Sequence, residues 1–283
     1  MQLFLKCNIF FTFVSIKSRN KEMEIRQYTV DAFTDTVFKG NPAAVCVLDD
    51  WLPDETMKEI ALENNLSETA FIVKEDAGYH LRWFTPKIKI DLCGHATLAT
   101  SYVIMNIVEP GLKEVSFMTK SGILKIKHRD DDVYMMTLPA YDLKPVTITP
   151  LMEKAIGTKP IEAYMGRDLV LVYPSADIIR NAKPNMEIIE KLDGLLFHIT
   201  AQDNNYDCIT RSFAPKCGVK EDPVCGSGHC HVIPYWSKKL GKDELTAYQA
   251  SYRGGVLNCK DNNDGTVLIG GKCALFAKST LYI

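Results

Sequence analysis

The chain has 283 residues, with 33 Lys and Arg against 35 Asp and Glu and a pI of about 6.3; it carries no net field to favour nucleic acid or an anionic membrane, and a small-molecule partner is expected. The length exceeds one typical domain and suits two, each large enough to bury a core. Nine cysteines, an odd number scattered through strand-like runs and helix starts, do not make the disulfide framework of a small secreted domain and point to a reducing cytoplasm.

The chain opens on the apolar run MQLFLKCNIFFTFVSI, with Lys6 near its start and Lys17, Arg19 and Lys21 after it. A secretory signal puts its positive charge first and ends at small residues, and this run is too short to span a bilayer. Residues 1–22 are therefore read as an extension, with the first domain running over 23–140 and the second over 141–283, its last strand free to return to the first. The first domain reads as strands IRQYTVDAF, AAVCVL, TAFIV, YHLRWF, EVSFMT, ILKIKH and VYMMTLP, rich in Val, Ile, Phe, Tyr and Thr and ending at turn residues. One helix is expected from Asp54 after Pro53, with Met57, Ile60 and Ala61 on its apolar stripe. A second, HATLATSYVIMN, has almost no charge, as a helix buried within its own sheet requires. The second domain reads as short helices near 150–157 and 185–192, strands LVLVYP, LLFHIT, DCITRSF, AYQASY, VLNCK and TVLIGG, and a helix SGHCHVIPYWSKKL that Pro234 should kink or shorten. DDD at 130–132 and DNNDG at 261–265 read as hairpin turns at matching places.

Matching places recur because the chain is duplicated. FTPKIKIDLCGHATLATSY, from Phe84, is echoed by FAPKCGVKEDPVCGSGHCHVIPYW, from Phe213, which aligns Cys93 with Cys225. The echo extends to SETAFIV against DGLLFHIT, and to SGILKIKHRDDDVYMMTLP against GGVLNCKDNNDGTVLIGGK. A copy of this length is a domain and not a solenoid repeat. The expected fold is α+β: two pseudo-symmetric domains, each an antiparallel sheet curled around a central helix, with a Cys-Gly turn on each wall of the cleft between them.

Each turn enters a helix, where unpaired N–H groups and the helix dipole favour an anion, and Gly94, Gly226 and Gly228, flanking Ser227, let it approach the backbone. The same field should bring a thiolate at Cys93 or Cys225 toward working pH. One acid/base group on each wall can take a proton from one face of a carbon and return it on the other, which is racemisation or epimerisation of a small carboxylate without a cofactor.

The paired turns resemble the diaminopimelate epimerase fold, and VDAFTDTVFKGNPAAVCVL, NLSETAFI, RWFTPKIKIDLCGHATLA and EDPVCGSGHC, in that order between Val30 and Cys230, are similar to the signatures of the PhzF-like phenazine biosynthesis family. The resemblance implies an isomerase whose acid/base is Glu68, with His95, Asp222 and Ser227 as further polar site residues. It also implies that the phenazine enzyme itself lacks cysteine at both turns and shifts a proton between carbons of a cyclic diene acid. This sequence keeps both thiols and the Glu, so the two chemistries stand side by side, together with a third reading as a binding or interaction protein without turnover. A homodimer is the default assembly.

Plainer readings exist for each residue. Glu68 fits a helix end capped by Ser67, Cys93 and Cys225 fit compact buried turns, and His95 fits a backbone-bonded helix start. Cys225, His229, Cys230 and His231 invite zinc, but no second ligand pair stands at zinc spacing, and no metal is expected. Neither a P-loop nor a G-x-G-x-x-G after a strand is present, and no cofactor is indicated.

Overall fold

The computed structural model describes residues 23–76, 78–86, 89–90 and 93–283; the extension read at 1–22 lies outside the described residues. The first half is built from β1 (Glu24–Ala32), β2 (Asn41–Leu48), α1 (Asp54–Asn64), β3 (Glu68–Glu75), β4 (Gly78–Phe84), β5 (Lys89–Ile90), α2 (Gly94–Val103), β6 (Glu114–Thr119), β7 (Gly122–His128) and β8 (Tyr134–Pro139), followed by β9 (Lys144–Pro145). The second contains α3 (Pro150–Ile156), β10 (Glu162–Met165), β11 (Leu169–Val172), α4 (Ala176–Asn181), α5 (Met186–Ile189), β12 (Phe197–Gln202), β13 (Cys208–Ala214), β14 (Val219–Asp222), α6 (Gly226–Leu240), β15 (Glu244–Gln249), β16 (Gly255–Asp261), β17 (Thr266–Gly271) and β18 (Cys273–Tyr282). No helix among the described residues is long and apolar enough to cross a membrane.

The duplication is visible in the pairing. In the first half β2 runs parallel to β3, β3 antiparallel to β4, β4 antiparallel to β5 and parallel to β6, and β6, β7 and β8 form a meander. The second half repeats this with β11, β12, β13, β14, β15, β16 and β17. The hairpin turns expected at 130–132 and 261–265 join β7 to β8 and β16 to β17, with Asp132 and Asn263 at positive φ. Each half is thus a mixed sheet and not the antiparallel one expected, because β2–β3 and β4–β6, and β11–β12 and β13–β15, run parallel. Its parallel neighbours are joined through helices, α1 or α4 and α5 across one edge and α2 or α6 across the other, because a parallel pair needs a crossover where an antiparallel pair needs only a tight turn.

The halves also exchange strands. β9, leaving the first half, pairs with β10 of the second, while β18, leaving the second, pairs along its whole length with β1. β8 and β17 pair antiparallel between these crossings. The largest apolar cluster accordingly draws on both halves, with Ala96, Leu98 and Ala99 of α2 and Val232, Ile233 and Trp236 of α6 in one continuous core.

α2 is buried on every side through most of its length, which its uncharged sequence requires. α6 runs through Pro234 to Leu240, so the proline does not shorten it. A proline leaves the carbonyl four residues earlier without its helical donor; that carbonyl, on Cys230, accepts from the Tyr141 N–H at 3.1 Å. The segment linking the two halves therefore supplies the hydrogen bond that the proline removes. The indole N–H of Trp236 donates to Thr200 Oγ1 at 2.9 Å and anchors α6 on β12.

Candidate active site

The starts of α2 and α6 meet. A carbon added at Gly94 would lie 3.9 Å from the Gly226 Cα, and one added at Gly226 would lie 3.9 Å from the Gly94 Cα, so the two turns approach to within van der Waals contact of a methyl group. Beside them is a cavity of about 150 Å³, lined on one wall by Glu68, Cys93 and His95 and on the other by Asp222, Cys225 and Ser227, with Gly94 and Gly226 at the floor and Arg167 at the edge. Larger grooves, of about 550 Å³ beside Arg253 and 650 Å³ beside Lys125 and Lys260, hold no such convergence of buried titratable groups among the described residues.

Glu68 is the first residue of β3 and caps no helix, because α1 ends at Asn64 with Asn65 in the left-handed conformation. Its Oε2 lies 3.0 Å from His95 Nε2, with side-chain exposures of 15% and 7%. The two atoms partner each other, and neither makes a further side-chain hydrogen bond among the described residues. Both border the cavity.

His95 Nδ1 lies 3.2 Å from Asn41 Nδ2 and 3.5 Å from Cys93 Sγ. Burial works against a charge on the ring, but Cys93 and Glu68 outweigh it and hold the His95 pKa well above its ordinary value. Asn41, fully buried at the start of β2, also donates to Asp222 Oδ1 at 2.8 Å and to the Val224 carbonyl at 3.1 Å. It ties the first half to the second turn. The N–H of Val224 donates to the same carboxylate oxygen, and Gln249 bridges the Asp222 carbonyl and the Cys225 N–H. Burial pushes the Asp222 carboxyl up, with Glu68 adding to it and His95 opposing.

The thiols contradict the expectation of an activated pair. Cys93 and Cys225 are the N-cap residues of α2 and α6, yet both pKa values are raised, first by burial and then by a neighbouring carboxylate, Glu68 for Cys93 and Asp222 for Cys225. The helix field acts on both, but desolvation of the thiolate is the larger effect. Cys225 Sγ accepts from the Gly228 N–H at 3.3 Å and lies 3.6 Å from Ser227 Oγ.

The zinc cluster considered from sequence is dispersed. His229 Nδ1 faces the Cys225 carbonyl at 2.8 Å, the Cys230 thiol donates to the Gly226 carbonyl, and His231 joins a different group. Two sets of three metal-binding side chains do converge among the described residues, Glu68 with Cys93 and His95, and Asp168 with His198 and His231. In the second, Arg167 already engages both oxygens of Asp168.

Sequence reasoning missed Asn41, Arg167, Asp168 and His198. Asn41 stands inside the quoted run VFKGNPAAVCVL and His198 inside DGLLFHIT, the echo of SETAFIV, so a signal was at hand for both; Arg167 and Asp168 lie in a stretch without a motif.

The family model for phenazine biosynthesis-like proteins (PhzC-PhzF) matches residues 30–279. An uncharacterized isomerase of Pseudomonas aeruginosa is 41% identical over 261 residues, covering 92% of this chain and all of the relative. The crystal structure of a PhzF-family phenazine biosynthesis protein from Enterococcus faecalis superimposes with a TM-score of 0.90 at 46% identity, over 92% of this chain and 100% of the other. A predicted epimerase of Pseudomonas aeruginosa, at 18% identity and a TM-score of 0.69 over 91% of this chain and 99% of its own, shares the fold. The α+β, diaminopimelate epimerase-like architecture expected from the duplicated turns is the one observed. The chain belongs to the phenazine biosynthesis-like protein family.

Proposed function

We propose that this protein is an isomerase that moves a proton on a small carboxylate-bearing substrate without a cofactor, with Glu68 as the acid/base. The observation that carries the reading is the buried pair of Glu68 Oε2 and His95 Nε2, 3.0 Å apart on the wall of a cavity and without further side-chain partners among the described residues. The relative described as an isomerase supports the reaction class. Glu68 takes a proton from a substrate carbon, and the electron pair left behind spreads into the adjoining unsaturated or carboxylate system. Glu68 then returns the proton to another carbon. His95, 3.0 Å away, holds the carboxylate of Glu68 in place. Asp222, fixed by Asn41, orients a substrate polar group. Ser227 and the free N–H groups at the starts of α2 and α6 hold the substrate carboxylate, whose charge the two helix dipoles favour.

A two-thiol racemase using Cys93 and Cys225 is the second reading, favoured by the position of both thiols on the cavity wall. It asks a raised thiol to act as base. A binding protein without turnover is the third. The test is deuterium incorporation from solvent into a panel of small amino and cyclic carboxylic acids, followed by mass spectrometry. The proposal expects exchange into at least one acid and a loss of roughly 10²- to 10⁴-fold in Glu68→Gln. Binding of an acid with no exchange in the unaltered protein would leave the third reading standing and remove the first two.

A further inference from the structure

Arg167 is the only Lys or Arg among the described residues lining the cavity, and its setting is unusual for a surface cation. Its Nε donates to Asp168 Oδ1 at 2.9 Å and its Nη2 to Asp168 Oδ2 at 2.6 Å, in a forked pair. Nη2 also donates to Ser227 Oγ at 3.2 Å, and Nη1 to the Tyr141 hydroxyl at 3.3 Å, with the guanidinium 4.9 Å above the Tyr141 ring. Four of the five N–H hydrogens are thus engaged. The fifth, on Nη1, has no partner among the described residues, and the side chain keeps 30% exposure.

Behind the guanidinium is a buried chain. Asp168 has no exposed side-chain surface, accepts the Leu196 N–H at 3.2 Å and lies 3.1 Å from His198 Nε2. His198 Nδ1 in turn lies 2.9 Å from Ser212 Oγ. Ser212, His198 and Asp168 have the connectivity of a hydrolytic triad, but all three are fully buried, so no substrate carbonyl reaches the serine. What the chain does reach is Arg167, and through it Ser227, on the turn opposite Glu68. An unclamped guanidinium beside Glu68 and Asp222 would be drawn onto them; the fork to Asp168 holds it on the other wall with one donor to spare.

We propose that Arg167 binds the substrate carboxylate together with Ser227, with the Asp168–His198–Ser212 chain fixing its plane, so that the site selects a carboxylate over an uncharged polar group. The proposal names the anion ligand of the same cavity and rests on the reading of that cavity as a substrate site, though not on turnover. Its consequence is charge selectivity at the α6 turn, while Glu68 works from the opposite wall.

The test is equilibrium binding, by calorimetry, of the panel of small amino and cyclic carboxylic acids and of each acid's primary amide. The unaltered protein should bind at least one acid more tightly than its amide. Arg167→Gln should weaken that acid by roughly 10- to 100-fold, the range for a lost hydrogen bond to a charged group, and leave the amide unchanged. Arg167→Lys, which keeps the charge beside Asp168 but loses the fork, should fall between the two and decides the matter if the Gln variant does not fold. Asp168→Asn should reduce acid binding with no effect on the amide. Equal binding of acid by the unaltered and Lys or Gln proteins overturns the proposal, as does an unaltered protein that prefers no acid to its amide. Acids that bind through Arg167 without exchanging protons would remove the isomerase reading and leave the carboxylate site intact.

Discussion

Replacing Gly228 by alanine puts a methyl where the structure has no space. The added carbon would lie 2.6 Å from His198 Cε1, 2.9 Å from His198 Nδ1 and 3.2 Å from Cys225 Sγ. His198 cannot yield, because its ring has no exposed surface and is held at both nitrogens, by Ser212 at 2.9 Å and Asp168 at 3.1 Å. Overpacking of this kind costs about 1–3 kcal/mol. Against it stands a gain of about 1 kcal/mol for alanine over glycine in a helix, so a net loss of up to about 2 kcal/mol is expected, and a loss of about 1–3 kcal/mol relative to an alanine that meets no clash. Gly226→Ala is the control: its added carbon meets Phe33 Cζ at 3.8 Å and Gly94 Cα at 3.9 Å, ordinary contacts, and its stability should match or exceed that of the unaltered protein. The methyl would nonetheless narrow the cavity at its floor and weaken acid binding. Urea unfolding of the two variants reads the difference. A Gly228→Ala protein as stable as Gly226→Ala would refute the claim that His198 is rigidly held.

Other outcomes follow from the same geometry. Burial, with the Cys225 carbonyl opposing at His229, holds His229 and His231 down to about 4, so the unfolded chain takes up protons first as pH falls; each histidine supplies stability at neutral pH that is lost between about 6.5 and 4, amounting to about 2 kcal/mol each at pH 5. His95, held up, contributes with the opposite sign, so the check is urea unfolding at pH 7.5 and 5 for the unaltered protein beside His229→Gln and His231→Asn; an equal pH slope in all three contradicts the assignment. Asn41→Ala leaves Asp222 Oδ1 and the Val224 carbonyl each short of a donor and should cost about 1–3 kcal/mol, with exchange activity falling more than stability alone explains. Iodoacetamide at pH 7.5 should label exposed Cys217 well before buried Cys93 and Cys225; prompt labelling of either buried thiol would revive the two-thiol reading.

What the sequence carried was local. The glycines after Cys93 and Cys225, the uncharged run of α2, and the Asp and Asn clusters at 130–132 and 261–265 each specify their conformation within a few residues. The duplication then aligned the two helix starts. What it did not carry was brought together by long-range pairing: Asn41 reaches Asp222 from another half of the molecule, and Arg167 reaches Ser227 across 60 positions. No spacing rule marks either. The thiols were misjudged for the same reason, since the helix field is a local property whereas burial and the approach of Glu68 and Asp222 are not. Pro234 was expected to kink or shorten α6, and it does not shorten it; the donor that relieves it, the Tyr141 N–H, comes from the segment joining the halves and so from outside the helix's own sequence.

The central claim is that Glu68 carries the proton. It is met most directly by taking the acid that exchanges fastest with deuterated solvent and measuring its exchange in Glu68→Gln and in the Cys93→Ala/Cys225→Ala double variant under one set of conditions. The account predicts that exchange disappears in Glu68→Gln and persists in the thiol variant. Exchange that survives in Glu68→Gln and vanishes with the two thiols would contradict it.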